Sequence, residues 1–257
     1  YTEVDTLSLH DALPIYDDGY NANGIKVLSK SLDQIARVIF CAPMKNHSGS
    51  SSSLSLRKDI SVKQIEKDVF VVNGTPADTV HLGLSGFLDV TPDLVVSGIN
   101  HGANLGEDIL YSGTVAAAIE GRVLEMPSIA VSSLGDTERD FKVAARVTIE
   151  LIQRLKKYSL PKGTILNVNV PAINYDEING FCITRLGNRH RSYPIKKVSK
   201  DKSERVFQIG LPGKGRDAGP GTDFYAIQHN SVSISPLHID MTHHAIFNNT
   251  ERWLSRK

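Results

Sequence analysis

Cysteine is scarce in this chain: of 257 residues only Cys41 and Cys182 carry a thiol, far apart and each among apolar neighbours. That spacing argues for two buried free thiols rather than a disulfide framework or a zinc site. Charge of one sign is lacking too. The formal net charge is +1, so no broad field recommends a nucleic-acid duplex or a membrane surface as partner. No apolar run is long enough to span a bilayer. No basic segment followed by an apolar one opens the chain, which carries Glu3, Asp5 and Asp11 there instead. The expectation is a cytoplasmic protein without a secretory signal. Internal repeats are absent. So are G-x-G-x-x-G after the first strand, G-x-x-x-x-G-K-[ST], G-x-S-x-G and H-E-x-x-H, which counts against dinucleotide-binding enzymes, P-loop NTPases, serine hydrolases of the elbow type and zincins.

What is present is enough material for a large α/β domain, 40% hydrophobic and 22% charged. Apolar positions 25, 28, 32 and 35 predict a helix over 23–38. Residues 38–42 read as a buried strand closed by Pro43. Strands are expected around Ile60 and Val62 and around Val69 and Val71. Thr75 and Pro76 begin a helix running to 88, and 93–97 is another buried strand. An alanine-rich helix covers 115–124, with a strand at 128–132, a helix at 138–157 and a strand at 164–170. Alternating strands and helices predict a Rossmann-like, doubly wound, mainly parallel sheet with a β-rich C-terminal extension. The division expected is a core at 1–172, a β-hairpin oligomerisation arm at 173–230, and a strand and helix at 231–257 returning to the core, with Trp253 and Leu254 docking the last helix. Strands at 181–186, 206–210 and 232–235 flank a basic stretch at 189–202, read as a solvated face.

Residues 1–15 stand apart. A strand is needed before position 16, yet Asp11 and Pro14 suit a central parallel strand poorly. The segment also resembles the peptide translated from common sequencing-adapter DNA, so it is discounted as an assembly artefact.

Several polar groups fall just past successive strands, where open α/β sheets place their ligands. Asp17 and Asp18 follow the first strand, Ser48 the second, and Asn100 the strand at 94–97. Ser112, Gly113 and Thr114 start the alanine-rich helix. Adjacent carboxylates repel unless a cation lies between them, and carboxylate, hydroxyl and amide oxygens suit Mg²⁺, Mn²⁺ or Ca²⁺ rather than zinc. A helix start offers free N–H groups to a phosphate. Metal beside a phosphate cradle is the layout of a phosphohydrolase. A solvated Asp-Asp-Gly turn and a flexible serine loop are the plain alternatives. His47 and His101 adjoin the site as loop residues or phosphate contacts, whereas His238, His243 and His244 read as surface or packing residues.

The blocks Asp17-Asp18-Gly19, Asn46-His47-Ser48-Gly49, Gly74-Thr75-Pro76-Ala77-Asp78, Ser97-Gly98-Ile99-Asn100-His101-Gly102, Tyr111-Ser112-Gly113-Thr114 and Asp217-Ala218-Gly219-Pro220-Gly221-Thr222-Asp223, in this order, resemble the SurE family of stationary-phase survival nucleotidases. The resemblance runs from about residue 17 to the end. It implies a phosphatase of nucleoside 5′- and 3′-monophosphates with one Mg²⁺ or Mn²⁺ per subunit. It implies metal ligands at Asp17, Asp18, Ser48 and Asn100, with catalysis by Asp17 and Asp18 through an activated water. A phosphate loop falls at Ser112, Gly113 and Thr114, and the subunits form a homodimer or homotetramer with a swapped arm. The family has Asn before the Asp pair, where this chain has Tyr16. An aspartyl-phosphate phosphatase is a second reading, although Gly19 stands where its second Asp belongs. A non-catalytic nucleotide-binding protein is the third.

Overall fold

The computed structural model describes residues 9–198 and 205–255. In chain order the elements are β1 (Asp11–Ile15), α1 (Asn23–Leu32), β2 (Arg37–Val38), β3 (Phe40–Pro43), β4 (Val62–Glu66), β5 (Val69–Val72), α2 (Pro76–Leu82), β6 (Leu94–His101), α3 (Gly113–Gly121), β7 (Ser128–Ser133), α4 (Glu138–Lys157) and β8 (Ile165–Val170). Beyond them come β9 (Phe181–Ile183), β10 (Asn188–Arg189), β11 (Lys196–Lys197), β12 (Phe207–Gln208), β13 (Gly215–Asp217), α5 (Asp223–Gln228), β14 (Val232–Leu237) and α6 (Phe247–Leu254).

Seven strands form the main sheet in the order β2-β1-β6-β7-β8-β14-β9. The first five run parallel and β14 runs antiparallel to β8, so the fold is the α/β class expected. Parallel strands covered on both faces are apolar on both, and the alternation sorts the side chains. Ala12, Val96, Ile129 and Val168 face one way, onto Leu28 and Leu32 of α1 and onto Ala144, Val147 and Leu151 of α4. Leu13, Ile15 and Val95 face the other, onto Val80 of α2 and Ala117 of α3. Helix starts follow from capping: Thr75 with Asp78, and Thr137 with Asp140, each form a reciprocal pair.

The misfit expected of Asp11 and Pro14 does not prevent a strand at the N-terminal end of the described residues. Residues 1–8 lie outside the described residues, but Asp11–Ile15 is a parallel strand between β2 and β6. Pro14 is tolerated for a geometric reason. Arg37 and Ile39 donate to the carbonyls of His10 and Ala12, whereas Asp93 donates to that of Asp11. Even-numbered residues of β1 therefore address β2, and β2 ends at Val38. Pro14 faces that side past the end of its neighbour, where no ladder donor is required.

Other expectations shift as well. The helix over 23–38 ends at Leu32; Ile35 and Val38 stay against the core from a turn and a strand. The strand at 38–42 divides, with β2 in the main sheet and β3 in a separate sheet ordered β3-β5-β4. Within 173–230, β9 joins the main sheet beside β14, and the short antiparallel pairs β10–β13 and β11–β12 stand outside it. The terminal helix does not dock on the core: α6 has no buried residue, and Trp253 and Leu254 are 70% and 77% exposed. Cys41 is buried, but Cys182 only partly.

Candidate active site

The carboxyl ends of β1 and β6 lie side by side where the strand order reverses, and the turns that leave them carry the polar groups. Near the end of β6 the pairing with β7 slips between Ser97 and Asn100, a bulge that re-aims the strand. Gly98 makes it possible. Its φ is +135°, and a Cβ there would lie 2.4 Å from the Val131 carbonyl oxygen. Asn100 thus sits in the last residues of β6 rather than after it. Its Nδ2 donates to the Gly102 carbonyl at 2.7 Å, which leaves Oδ1 turned toward the site, 3.4 Å from the Tyr16 hydroxyl.

Asp18 is gripped from two sides. One carboxylate oxygen accepts from Asn46 Nδ2 at 2.6 Å and from Ser48 Oγ at 3.0 Å, and the other accepts the Tyr16 hydroxyl. Ser48 arrives by way of β3, so it comes from the second sheet. Its loop is locked by Ser48 N on Asn46 Oδ1 at 2.7 Å and His47 N on the Asp17 carbonyl at 2.8 Å.

Asp17 lies deeper, 4% exposed. Thr114 Oγ1 donates to it at 2.8 Å, and the α3 start supplies a backbone N–H from the same residue. Burial nevertheless pushes its carboxyl up from the usual 3.8 to about 6, with the neighbouring Asp18 charge adding to the rise and the Thr114 bond opposing it. Burial also raises the Tyr16 phenol far above its ordinary range, helped by its bond to Asp18. Tyr16 is therefore a neutral hydrogen donor at any physiological pH.

The predicted phosphate residues separate in role. Ser112 Oγ caps α3 by accepting from Val115 N at 3.1 Å and lines the cleft. Thr114 is fully buried behind Asp17. Gly113 lets the helix approach: a Cβ there would fall 2.8 Å from both Cβ and Oδ2 of Asp17. Replacing Gly113 with alanine is expected to displace Asp17 and destabilise the fold by about 1–3 kcal/mol. Urea titration measures the loss, and an unchanged midpoint would contradict this packing.

Asp17, Ser48, Asn100 and Ser112 open into one cleft of 340 Å³. Asp18 opens instead into a neighbouring cavity of 190 Å³, shared with Tyr16, His101, Asp136 and Phe141. His101 belongs to both; its backbone N donates to the Tyr16 hydroxyl at 3.0 Å, and its Nε2 lies 3.9 Å from Asp136. Among the described residues no three His, Cys, Asp or Glu side chains converge as a metal cluster. The donors that do gather are two carboxylates, a hydroxyl and an amide oxygen, a hard-oxygen set that fits Mg²⁺ or Mn²⁺.

Four participants carried no signal of their own or only a shared one. Asn46 lies in the Ser48 block. Asn104 is buried at the cleft, its Nδ2 on Ser132 Oγ and its carbonyl receiving both Asn167 and Asn169. Asp108 is held by the Arg189 guanidinium through Nε and Nη2 at 2.9 and 2.6 Å. Pro212 reaches the same cleft from the far end of the chain.

Comparison with known proteins agrees with this architecture. The family model described as Survival protein SurE matches residues 13–193. A protein of Coxiella burnetii (strain Dugway 5J108-111) named 5'-nucleotidase SurE is 47% identical over 240 residues, 93% of each chain. One of the same name from Halorhodospira halophila is 49% identical over 239 residues, 93% of this chain and 95% of that one. The crystal structure of the SurE protein from Aquifex aeolicus superposes with a TM-score of 0.84 at 39% identity, covering 95% of this chain and 99% of the other.

Proposed function

We propose that this chain, which belongs to the SurE family, hydrolyses nucleoside 5′-monophosphates, and 3′-monophosphates with them, to nucleoside and phosphate. The relatives named 5'-nucleotidase SurE support the reaction class. The observation that carries the reading to this molecule is the shared cleft: Asp17, Ser48, Asn100 and the α3 cap Ser112 face one space although they come from separate segments.

Asp17, Asp18, Ser48 and Asn100 would hold one Mg²⁺ or Mn²⁺. Such an ion, when bound, polarises a phosphoryl oxygen and acidifies a water. The protein's own part is positional. Thr114 and the α3 start hold the Asp17 carboxylate against its burial, and Asn46 and Ser48 fix the rotation of Asp18. Gly102 turns the Asn100 oxygen inward. Asp17 or Asp18 would also receive a proton from the attacking water. Ser112 stands at the cleft wall as a contact for a phosphoryl oxygen.

Phosphate release from a panel of mononucleotides, with Mg²⁺, with Mn²⁺ and with chelator, tests this. Release that needs the metal is expected; release unaffected by chelator, or none with either metal, defeats it. The Tyr16 bond to Asp18 favours a second reading, a family member that binds nucleotide without turning it over. Retention of AMP at saturating Mn²⁺ with no phosphate formed would select that reading.

We also propose that the chain acts as a homodimer or homotetramer. Support comes from α6, which is amphipathic, touches no core, and leaves Phe247, Trp253 and Leu254 in solvent. Trp253→Ala combined with Leu254→Ala is expected to lower the mass measured by light scattering. Unchanged mass removes α6 from the interface.

A further inference from the structure

The cleft is polar wherever chemistry is expected, yet one large ring stands at its wall. Tyr111 lies between the turn Gly106–Leu110 and the cap residue Ser112, and lines the cleft with Asp17, Ser48 and Asn100. It is 66% exposed. Among the described residues it is the one Phe, Tyr or Trp on that wall, and its hydroxyl and ring make no hydrogen bond or ring contact there. Its backbone, in contrast, is fixed on both sides: its N donates to the Asp108 carbonyl at 3.0 Å, and its carbonyl accepts from Ser51 N at 3.2 Å. A rigid backbone thus presents an unengaged aromatic face beside the residue assigned to phosphate contact.

We propose that the Tyr111 ring is the platform on which the nucleobase of the substrate stacks, an inference that rests on the nucleotidase reading above. With its phosphate between Asp17, Ser48 and Ser112, a mononucleotide has little room left in 340 Å³, near the lower end for small-molecule sites. Its base must leave by the cleft mouth, and Tyr111 is next to the phosphate contact in the chain. Stacking on an aromatic face is tolerant of base identity, because every base has a π-face. The platform therefore confers a preference for nucleotides over other phosphomonoesters, with weak choice among bases.

The experiment compares AMP with ribose 5-phosphate, which offers the same ester without the base, in wild type, Tyr111→Ala and Tyr111→Phe at saturating Mn²⁺. Tyr111→Ala is expected to raise KM for AMP by about 5- to 150-fold, the range set by base–aromatic stacking, with KM for ribose 5-phosphate unchanged. Tyr111→Phe keeps wild-type values for both. Equal changes for the two substrates, or none, overturn the platform. Wild type that releases no phosphate from AMP defeats the nucleotidase reading instead. The platform is then judged by equilibrium dialysis of AMP: weaker retention by Tyr111→Ala supports it, and equal retention overturns it.

Discussion

Asp17→Asn is expected to lower metal-dependent phosphate release by more than about 10²-fold while making the metal-free protein more stable at pH 8. The first half follows from position. Loss of outer contacts around a metal costs roughly 10- to 100-fold, and Asp17 is proposed as a direct ligand, so its loss exceeds that range. The second half follows from burial. An ordinary carboxyl titrates at 3.8 and that of Asp17 at about 6. Between those values the folded chain keeps a proton that the unfolded chain has released. Stability therefore falls as pH rises from about 4 through 6, and above 6 the cost is constant, on the order of 3 kcal/mol. Asparagine carries no charge to bury, and its amide oxygen still accepts from Thr114. A gain of roughly 5 °C in Tm at pH 8 is expected for a chain of this length, and it vanishes below pH 4. Added Mn²⁺ should reverse the order, raising the Tm of wild type but not of the variant. Thermal scans at pH 4 and 8, with and without Mn²⁺, decide the matter. Equal stability at pH 8 would mean that Asp17 is not held as a costly buried charge.

How much of this was legible in the sequence depends on whether local pattern or tertiary partner decided the outcome. The span of α4 was readable because Thr137 caps it and its apolar face repeats regularly over 138–157. The end of α1 was not, since Ile35 and Val38 continue the same spacing and are packed against the core without being helical. The run 38–42 reads as one strand, but no pattern within it tells that its halves join different sheets. The apolar face of α6 was legible; what covers that face is no property of the helix itself. Pro14 misled because a proline is excluded from a strand only where a neighbour needs its N–H.

The site divides the same way. Residues that end strands could be placed at one edge once the alternation of strands and helices was read, which covers Asp17, Asp18 and Asn100. The helix start recommends the Thr114 amide for a phosphate, and no local pattern tells that the Thr114 hydroxyl is directed at Asp17. On the arm side the block ending in Asp223 was legible, but the contacts that join this side to the cleft were not. Pro212 lines the cleft with residues as far back in the chain as Asp17, and Arg189 fixes Asp108 across 81 positions, links that no motif marks. Asp223, fully buried, accepts from Gly106 N at 2.7 Å and from Gly187 N at 2.9 Å, tying the loop before Asp108 to the base of the arm.

Tyr16→Phe is expected to tighten Mn²⁺ binding by about tenfold. Tyr16 is 1% exposed and packs with Ile25 and Ala42. Its single proton goes to Asp18, and with that bond the carboxylate opens into the Tyr16 cavity while Asp17, Ser48 and Asn100 share the cleft. One Asp18 oxygen lies on the Ser48 side, but the other is held toward the cavity by that bond, so a cation that draws the whole carboxylate into the cleft works against it. A hydrogen bond to a charged group contributes roughly 1.5–3 kcal/mol, so its removal is worth about an order of magnitude or more in affinity. Phenylalanine keeps the ring and its packing and removes only the hydroxyl. The variant also loses the acceptor for His101 N, so the metal-free fold gives up about 1 kcal/mol there in addition to the roughly 1.5–3 kcal/mol of the Asp18 bond. A tighter ion in a weaker fold is a combination that general loosening would not produce. Calorimetric titration with Mn²⁺ beside urea unfolding reads both quantities. Weaker Mn²⁺ binding in Tyr16→Phe would mean that the phenol orients Asp18 for the ion instead of holding it away.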